Sequence, residues 1–268
     1  MRCGGLAQRL ANCVTELLPE RALKRAAERD EYLAAHEKPI GPLHGLPISV
    51  KEHVGIKGLD LNAGFVGWVG NVAKEDALLL QSLWDADAVF YVRTTQPQTL
   101  MHLEMSNNLY KGFSGGEGAL ISLPSLVLGV GSDIGGSIRS PAANRGIFWL
   151  QTHDGPPTDY IFTENPQDRE YSTRSLWDAI IARQDYRAKY ASLWNETAEA
   201  SPDGRMVDVM LCPGGPGVAP KLDTAKYWGY TSQWNLLDYP AIVFPINDCA
   251  SVEKDGITGS PEDYQPLN

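Results

Sequence analysis

The chain has 268 residues, a formal net charge of −10, and is 43% hydrophobic and 21% charged, the balance of an ordinary globular protein. The acidic surplus argues against a nucleic-acid partner, because phosphate binding needs clustered Lys and Arg. No stretch has the apolar length that a membrane span requires. The four cysteines, Cys3, Cys13, Cys212 and Cys249, form no C-x-x-C pair and are too scattered for a disulfide framework. With no uninterrupted apolar leader at the N-terminus, a reducing, cytoplasmic location is expected.

Leu6, Leu10, Val14, Leu17 and Leu18 recur at helical spacing, so residues 5 to 36 read as helix, interrupted at Pro19 and resumed from Ala22 to His36. An N-terminal helical segment, 1–38, is therefore expected. Residues 39 to 47 form a turn-rich loop, and Ile48-Ser-Val50 is a short strand ending at Lys51. Residues 74 to 86 predict an amphipathic helix, and Val89 to Val92 a buried strand. Strand, helix and strand at this spacing imply an α/β fold with a parallel sheet covered by helices.

Residues 112 to 136 hold Gly112, Gly115, Gly116, Gly118, Gly129, Gly131, Gly135 and Gly136. So many glycines are costly in backbone entropy and imply close backbone approach or positive φ. Residues 152 to 173 are polar and without period, and read as loop. A helix follows over 175–200, then a strand at Met206–Leu211, a loop over 213–220, a helix over 224–236 and a strand at Ala241–Phe244. The polar tail, 251–268, is expected to be mobile, closing a main unit of 39–250.

Three segments carry the chemistry: GLPISVKE (45–52), GFSGGEGAL (112–120) and GSDIGGSIRSPA (131–142). Lys51 ends a buried strand, where open α/β sheets place their sites; equally, a lysine there can simply cap the strand at the surface. Ser137 follows two glycines whose N–H groups can form an anion-holding nest, or can make an ordinary turn with a solvent-facing serine. Gly112-Phe-Ser-Gly-Gly116 fits a nucleophile elbow at Ser114, but the only histidine downstream is His153, in the polar loop, and no HGGG-like oxyanion motif precedes the serine. The glycine loops match neither phosphate-binding fingerprint. His36, His44, His53, His102 and His153 have no metal-ligand spacing, so a structural role is expected for each and no metal or other cofactor.

Taken in order, these segments resemble the amidase signature family, and more narrowly its fungal acetamidase-type members. The likeness runs from about Ile40 to Phe148, and resumes in residues 186–196 and 204–245. It implies a single α/β domain with a mixed central sheet flanked by helices, and amide hydrolysis by a Ser-Ser-Lys triad. On that resemblance Ser137 corresponds to the nucleophile and Lys51 to the base. The N–H groups of Ile134, Gly135 and Gly136 correspond to the oxyanion hole, and Asp133 and Arg139 brace the loop. A lysine can act as base only when neutral, so its ordinary pKa must fall, and burial at a strand end favours that.

The chain also departs from the family. Counting back from Ser137, Ser114 falls on the second serine of the glycine run and Phe113 on the bridging serine, and phenylalanine cannot relay a proton. Ser114 or a water must then replace the bridge, or the chain is a catalytically impaired relative. The family's segment before the glycine run and much of its central region have no match here, and the N-terminal portion is short. The chain stops before the family's closing elements. A shortened copy of one sheet exposes apolar faces and unpaired edges, which favours self-association into a homo-oligomer. The expected ligand is a small-molecule amide. Trp84, Tyr91, Tyr110 and Trp149 are candidates to line its pocket or to pack in the core.

Overall fold

The computed structural model describes residues 8–9, 11–100, 115–123, 127–151, 172–215, 217 and 229–246. Its centre is β2 (Pro47–Lys51), whose Ile48, Ser49, Val50 and Lys51 are all buried. Burial on both faces is the mark of a parallel strand under helices. β2 lies between β3 (Val89–Thr94) and β4 (Leu128–Val130), parallel to both, and β1 (Val14–Leu17) adds antiparallel to the outer edge of β3. The order β1-β3-β2-β4 makes a mixed α/β sheet.

Side-chain alternation sends Phe90 to a cluster with Ile48, Val50, Leu18, Ile56 and Leu80, and Val89 and Tyr91 to a second with Cys13, Val14, Ala119 and Leu120. Each Val, Leu, Ile or Phe side chain among them contributes about 1.5–3 kcal/mol on burial. α1 (Pro19–His36), α2 (Leu78–Asp85) and α3 (Gly115–Ile121) belong to this unit. α4 (Arg139–Arg145) follows β4 after a tight loop. A second, two-stranded sheet pairs β5 (Trp149–Gln151) antiparallel with β6 (Ala241–Val243). α5 (Thr173–Ala200), capped by the Ser172 side chain, packs on α6 (Gly229–Leu237). No helix among the described residues is long and apolar enough to cross a membrane.

Several expectations need correction. Residues 14–17 are not helical: Val14-Thr-Glu-Leu17 extends as an edge strand, because pairing with β3 outweighs the leucine spacing. Pro19 does not interrupt a helix but opens one, at the first-turn position where its missing N–H costs nothing. The helix expected from residue 74 begins at Leu78. Met206–Leu211 is no strand: these residues lie exposed along α5, with Trp194 Nε1 donating to Val207 O (2.9 Å) and Val207 N donating to Thr197 Oγ1 (3.0 Å). The loop expected over 152–173 lies outside the described residues up to 171, and Thr173 is already helical. Half of the expected loop over 213–220, the start of the helix expected from 224, and the C-terminal tail also lie outside them.

Candidate functional site

The parallel pairing of β2 with β4, in register Ile48↔Leu128, Ser49↔Gly129 and Val50↔Val130, decides where the site forms. Lys51 ends β2, and the loop from Gly131 to Ile138 leaves β4 beside it, at the same end of the sheet. That is where open α/β sheets hold their ligands. The strand-cap and solvent-turn alternatives for Lys51 and Ser137 both fail on exposure, which is 1% for Lys51 and 6% for Ser137.

The loop is built around Asp133. Its carboxylate accepts hydrogen bonds from Gly136 N (2.6 Å), Ile138 N (3.0 Å) and Arg139 N (3.1 Å), and from Arg139 Nε (3.0 Å) and Nη2 (2.7 Å). Burial works against the ionised form, but the Arg139 hydrogen bonds and charge, with the backbone N–H groups, outweigh it and hold the carboxyl below its ordinary range. Asn235 of α6 donates to Asp133 O (2.9 Å) and Oδ1 (3.1 Å), and Arg139 Nη2 donates to Asn235 Oδ1. Thr231 Oγ1 donates to Gly135 O at 2.9 Å. α6 thus braces the loop from 96 residues further along the chain.

Gly136 has φ +122°, and a Cβ there would lie 2.2 Å from Thr231 Oγ1. Only glycine fits, both by backbone conformation and by space. The result is a tight Ile134-Gly135-Gly136-Ser137 turn leading into α4. The Gly136 N–H is engaged by Asp133, whereas Ile134 and Gly135 precede that anchor. Behind the turn, the ring of Trp149 lies against Gly131, where a Cβ would come within 3.1 Å.

The surroundings of Lys51 are equally specific. Burial lowers its pKa to about 8, although the negative charges of Asp133 and Glu117 act to raise it. Two residues on, His53 is tied to the loop: Ser132 Oγ lies 2.7 Å from its Nε2, and Gln96 Oε1 lies 3.0 Å from its Nδ1. Burial, then the Lys51 charge, push the His53 pKa down to about 3, despite the Gln96 hydrogen bond. The ring is therefore neutral at pH 7, so Nδ1–H donates to Gln96 and Nε2 accepts from Ser132. Gln96 in turn donates to Glu52, whose carboxylate caps the N–H groups of Asn62 (3.0 Å) and Ala63 (3.1 Å). Arg93, buried in β3, locks this side with bonds to Glu52 O and Asp60 O, both 2.6 Å.

Sequence reasoning named Lys51, Asp133, Ile134, Gly135, Gly136, Ser137 and Arg139, and all seven gather at this end of the sheet. Ser114 and Phe113 lie outside the described residues, as does Tyr110. Of the aromatic candidates, Tyr91 is core, Trp84 stacks under Arg25 (3.8 Å to the ring centroid), and Trp149 borders the loop. Glu117, Asn235, Thr231 and the His53–Gln96–Glu52 chain were not singled out. A carboxyl in the glycine run was the one available signal for Glu117.

The protein-family model for amidase matches residues 4–152. Acetamidase of Emericella nidulans is 44% identical over 163 residues, covering 56% of this chain and 30% of its own. Amidase 1 of Gibberella moniliformis is 36% identical over 414 residues, covering 98% of this chain and 78% of its own. Since this chain has only 268 residues, that longer alignment contains extensive gaps. Among solved structures, a fatty acid amide hydrolase is 43% identical with a TM-score of 0.52, covering 55% of this chain and 28% of that one. A crystal structure of an amidase superposes with a TM-score of 0.50 at 26% identity, covering 57% and 38%. In the acetamidase alignment and in both superpositions the match therefore spans well under half the length of the relative. With its mixed sheet, its glycine-bounded serine loop and a family match over more than half its length, this chain belongs to the amidase family.

Proposed function

We propose that the chain hydrolyses small carboxylic amides to acid and ammonia, with Ser137 as nucleophile and Lys51 as base. The observation that carries this reading is the burial of Lys51 at the sheet end that also presents Ser137, with the lysine pKa lowered to about 8. Close to one lysine in ten is then neutral at pH 7, against fewer than about one in a thousand for a lysine in water. Serine requires such a base to become nucleophilic.

In the proposed sequence the neutral Lys51 amine draws the proton from Ser137 Oγ through an intermediary, Ser114 or a water. Oγ bonds to the amide carbon, and the carbonyl electron pair moves onto oxygen. The N–H groups of Ile134 and Gly135 receive that oxyanion; the Gly136 N–H joins them only by leaving Asp133. Collapse breaks the C–N bond, the Lys51 proton passes to the departing nitrogen as ammonia leaves, and an acyl-serine remains. Water then attacks the acyl carbon, giving a proton back to Lys51, and the acid departs as Ser137 regains its hydrogen.

Phe113 in place of the bridging serine favours a second reading, a slowed or inactive relative, because proton relay contributes about 10²–10⁴ in rate. Ammonia release from acetamide and longer aliphatic amides by the purified chain separates the two. Turnover that vanishes in Ser137→Ala and in Lys51→Met supports the hydrolase. Turnover indistinguishable from the variants' background supports the impaired relative, and full turnover in Ser137→Ala removes Ser137 from the chemistry.

A further inference from the structure

Glu117 is fully buried, and three strands of the sheet are shaped to it. Ser49 Oγ of β2 donates to Glu117 Oε2 at 2.7 Å, and Thr94 Oγ1 of β3 donates to Oε1 at 2.8 Å. On β4, Gly129 leaves the space: a Cβ there would lie 2.2 Å from Oε2. Both donors flank the lysine. Ser49 shares a strand face with Lys51, two residues before it, and Thr94 is the cross-strand partner of Lys51. Pinning α3 to the sheet does not by itself call for an acid, since any side chain with an acceptor would take a hydroxyl hydrogen bond. Burying a charge is costly unless it is paired and hydrogen-bonded, so an acid here points to a charge of opposite sign nearby.

We propose that Glu117 is a positioning residue for the amide hydrolysis: its buried carboxylate, held by Ser49 and Thr94, retains the proton on the Lys51 amine and so sets the pH at which the base becomes available. This inference rests on Lys51 serving as base. Burial raises the Glu117 carboxyl to about 7, against the lowering effect of the Ser49 and Thr94 hydroxyls and of the Lys51 charge, so it gains its charge just below the pH range in which Lys51 loses its proton. The groups around Lys51 are then Glu117 from α3, Asp133 from the loop after β4, the neutral His53 ring and the uncharged Thr94 from β3. Asp133 is the larger of the two negative charges acting on Lys51 and is paired with Arg139, whereas Glu117, the second, is held by the two neutral hydroxyls of Ser49 and Thr94. The Cys13 thiol, which feels the Glu117 charge, stays un-ionised, pushed up to about 11 mainly by burial.

The test is a pH titration of Lys51 by NMR in protein carrying ¹³C at the lysine ε-carbons, with the Lys51 signal identified by its loss in Lys51→Met. In Glu117→Gln the Lys51 midpoint falls below its starting value by about half a pH unit or more, because an opposite charge nearby has been removed. A folded Glu117→Gln protein with an unmoved midpoint overturns the proposal, since a merely structural anchor would change stability and leave the titration in place. If Glu117→Gln does not fold, Ser49→Ala and Thr94→Val take its place. Each removes a donor that favours the carboxylate, so the midpoint falls in both, and an unmoved midpoint in both overturns the proposal. Failure of the hydrolase reading is distinguishable: turnover is then missing while the Lys51 titration still responds to residue 117. Where turnover is measurable, the acid limb of kcat/KM shifts down with the NMR midpoint.

Discussion

Replacing Lys51 by methionine, a neutral side chain of similar length, is expected to remove the proposed turnover and to stabilise the fold. Above pH 10.5 a lysine amine is neutral whether the chain is folded or not, and Lys51 then costs the fold nothing electrostatically. As pH falls from 10.5 towards 8 the unfolded chain takes up a proton that the folded chain resists, so stability is lost. Below about pH 8 the full cost applies, which for a depression from 10.5 to about 8 is about 3 kcal/mol. With the side chain 1% exposed, solvent screening reduces that figure little. Losing the Lys51 charge also lets the Glu117 carboxyl rise further and stay protonated at pH 7, so no bare carboxylate is left behind. Urea unfolding of the wild type and of Lys51→Met at pH 7, 8, 9 and 10 is the assay. The variant is expected to be more stable by up to about 3 kcal/mol at pH 7, with the gap closing as pH rises. A variant that is less stable at pH 7, or a gap that does not change with pH, refutes the reasoning.

Gly136→Ala places a Cβ 2.2 Å from Thr231 Oγ1 at φ +122°, and thermal unfolding should report a loss of about 2 kcal/mol or more. Asp133→Asn leaves the buried Arg139 guanidinium, 2.7 Å away, without its counter-charge; denaturant unfolding should report a loss of about 3–5 kcal/mol. Phe113→Ser puts a hydroxyl where the proposed mechanism expects the bridge, and on that proposal the rate of ammonia release should rise by about 10²–10⁴. An unchanged rate places the relay elsewhere.

The short β-branched strand Ile48-Ser-Val50 ending in Lys51, and the Asp-Ile-Gly-Gly-Ser run ending at Ser137, are legible because each signals its geometry locally: a buried strand end and a glycine turn. What joins them is not. That β4 lies parallel beside β2 depends on long-range pairing, and that α6 braces the loop through Thr231 and Asn235 depends on residues about a hundred positions away. Glu117 was illegible because a glutamate on a short helix reads the same whether it faces water or three strands. At Val14–Leu17 the leucine spacing points to helix because nothing local signals that β3 has a free edge to pair. Met206–Leu211 misled in the opposite sense: its apolar content suggested a strand, but a strand needs a partner, and α5 lies beside it instead.

The central claim, that a deprotonated amine at residue 51 activates the hydroxyl at residue 137, is tested most directly by a fluorophosphonate probe with peptide mapping of the adduct across a pH series. One adduct is expected, on Ser137, forming at a rate that climbs through about pH 8 and collapses in Lys51→Met. An adduct on Ser114 instead, or labelling of Ser137 that is equally fast without the lysine, contradicts it.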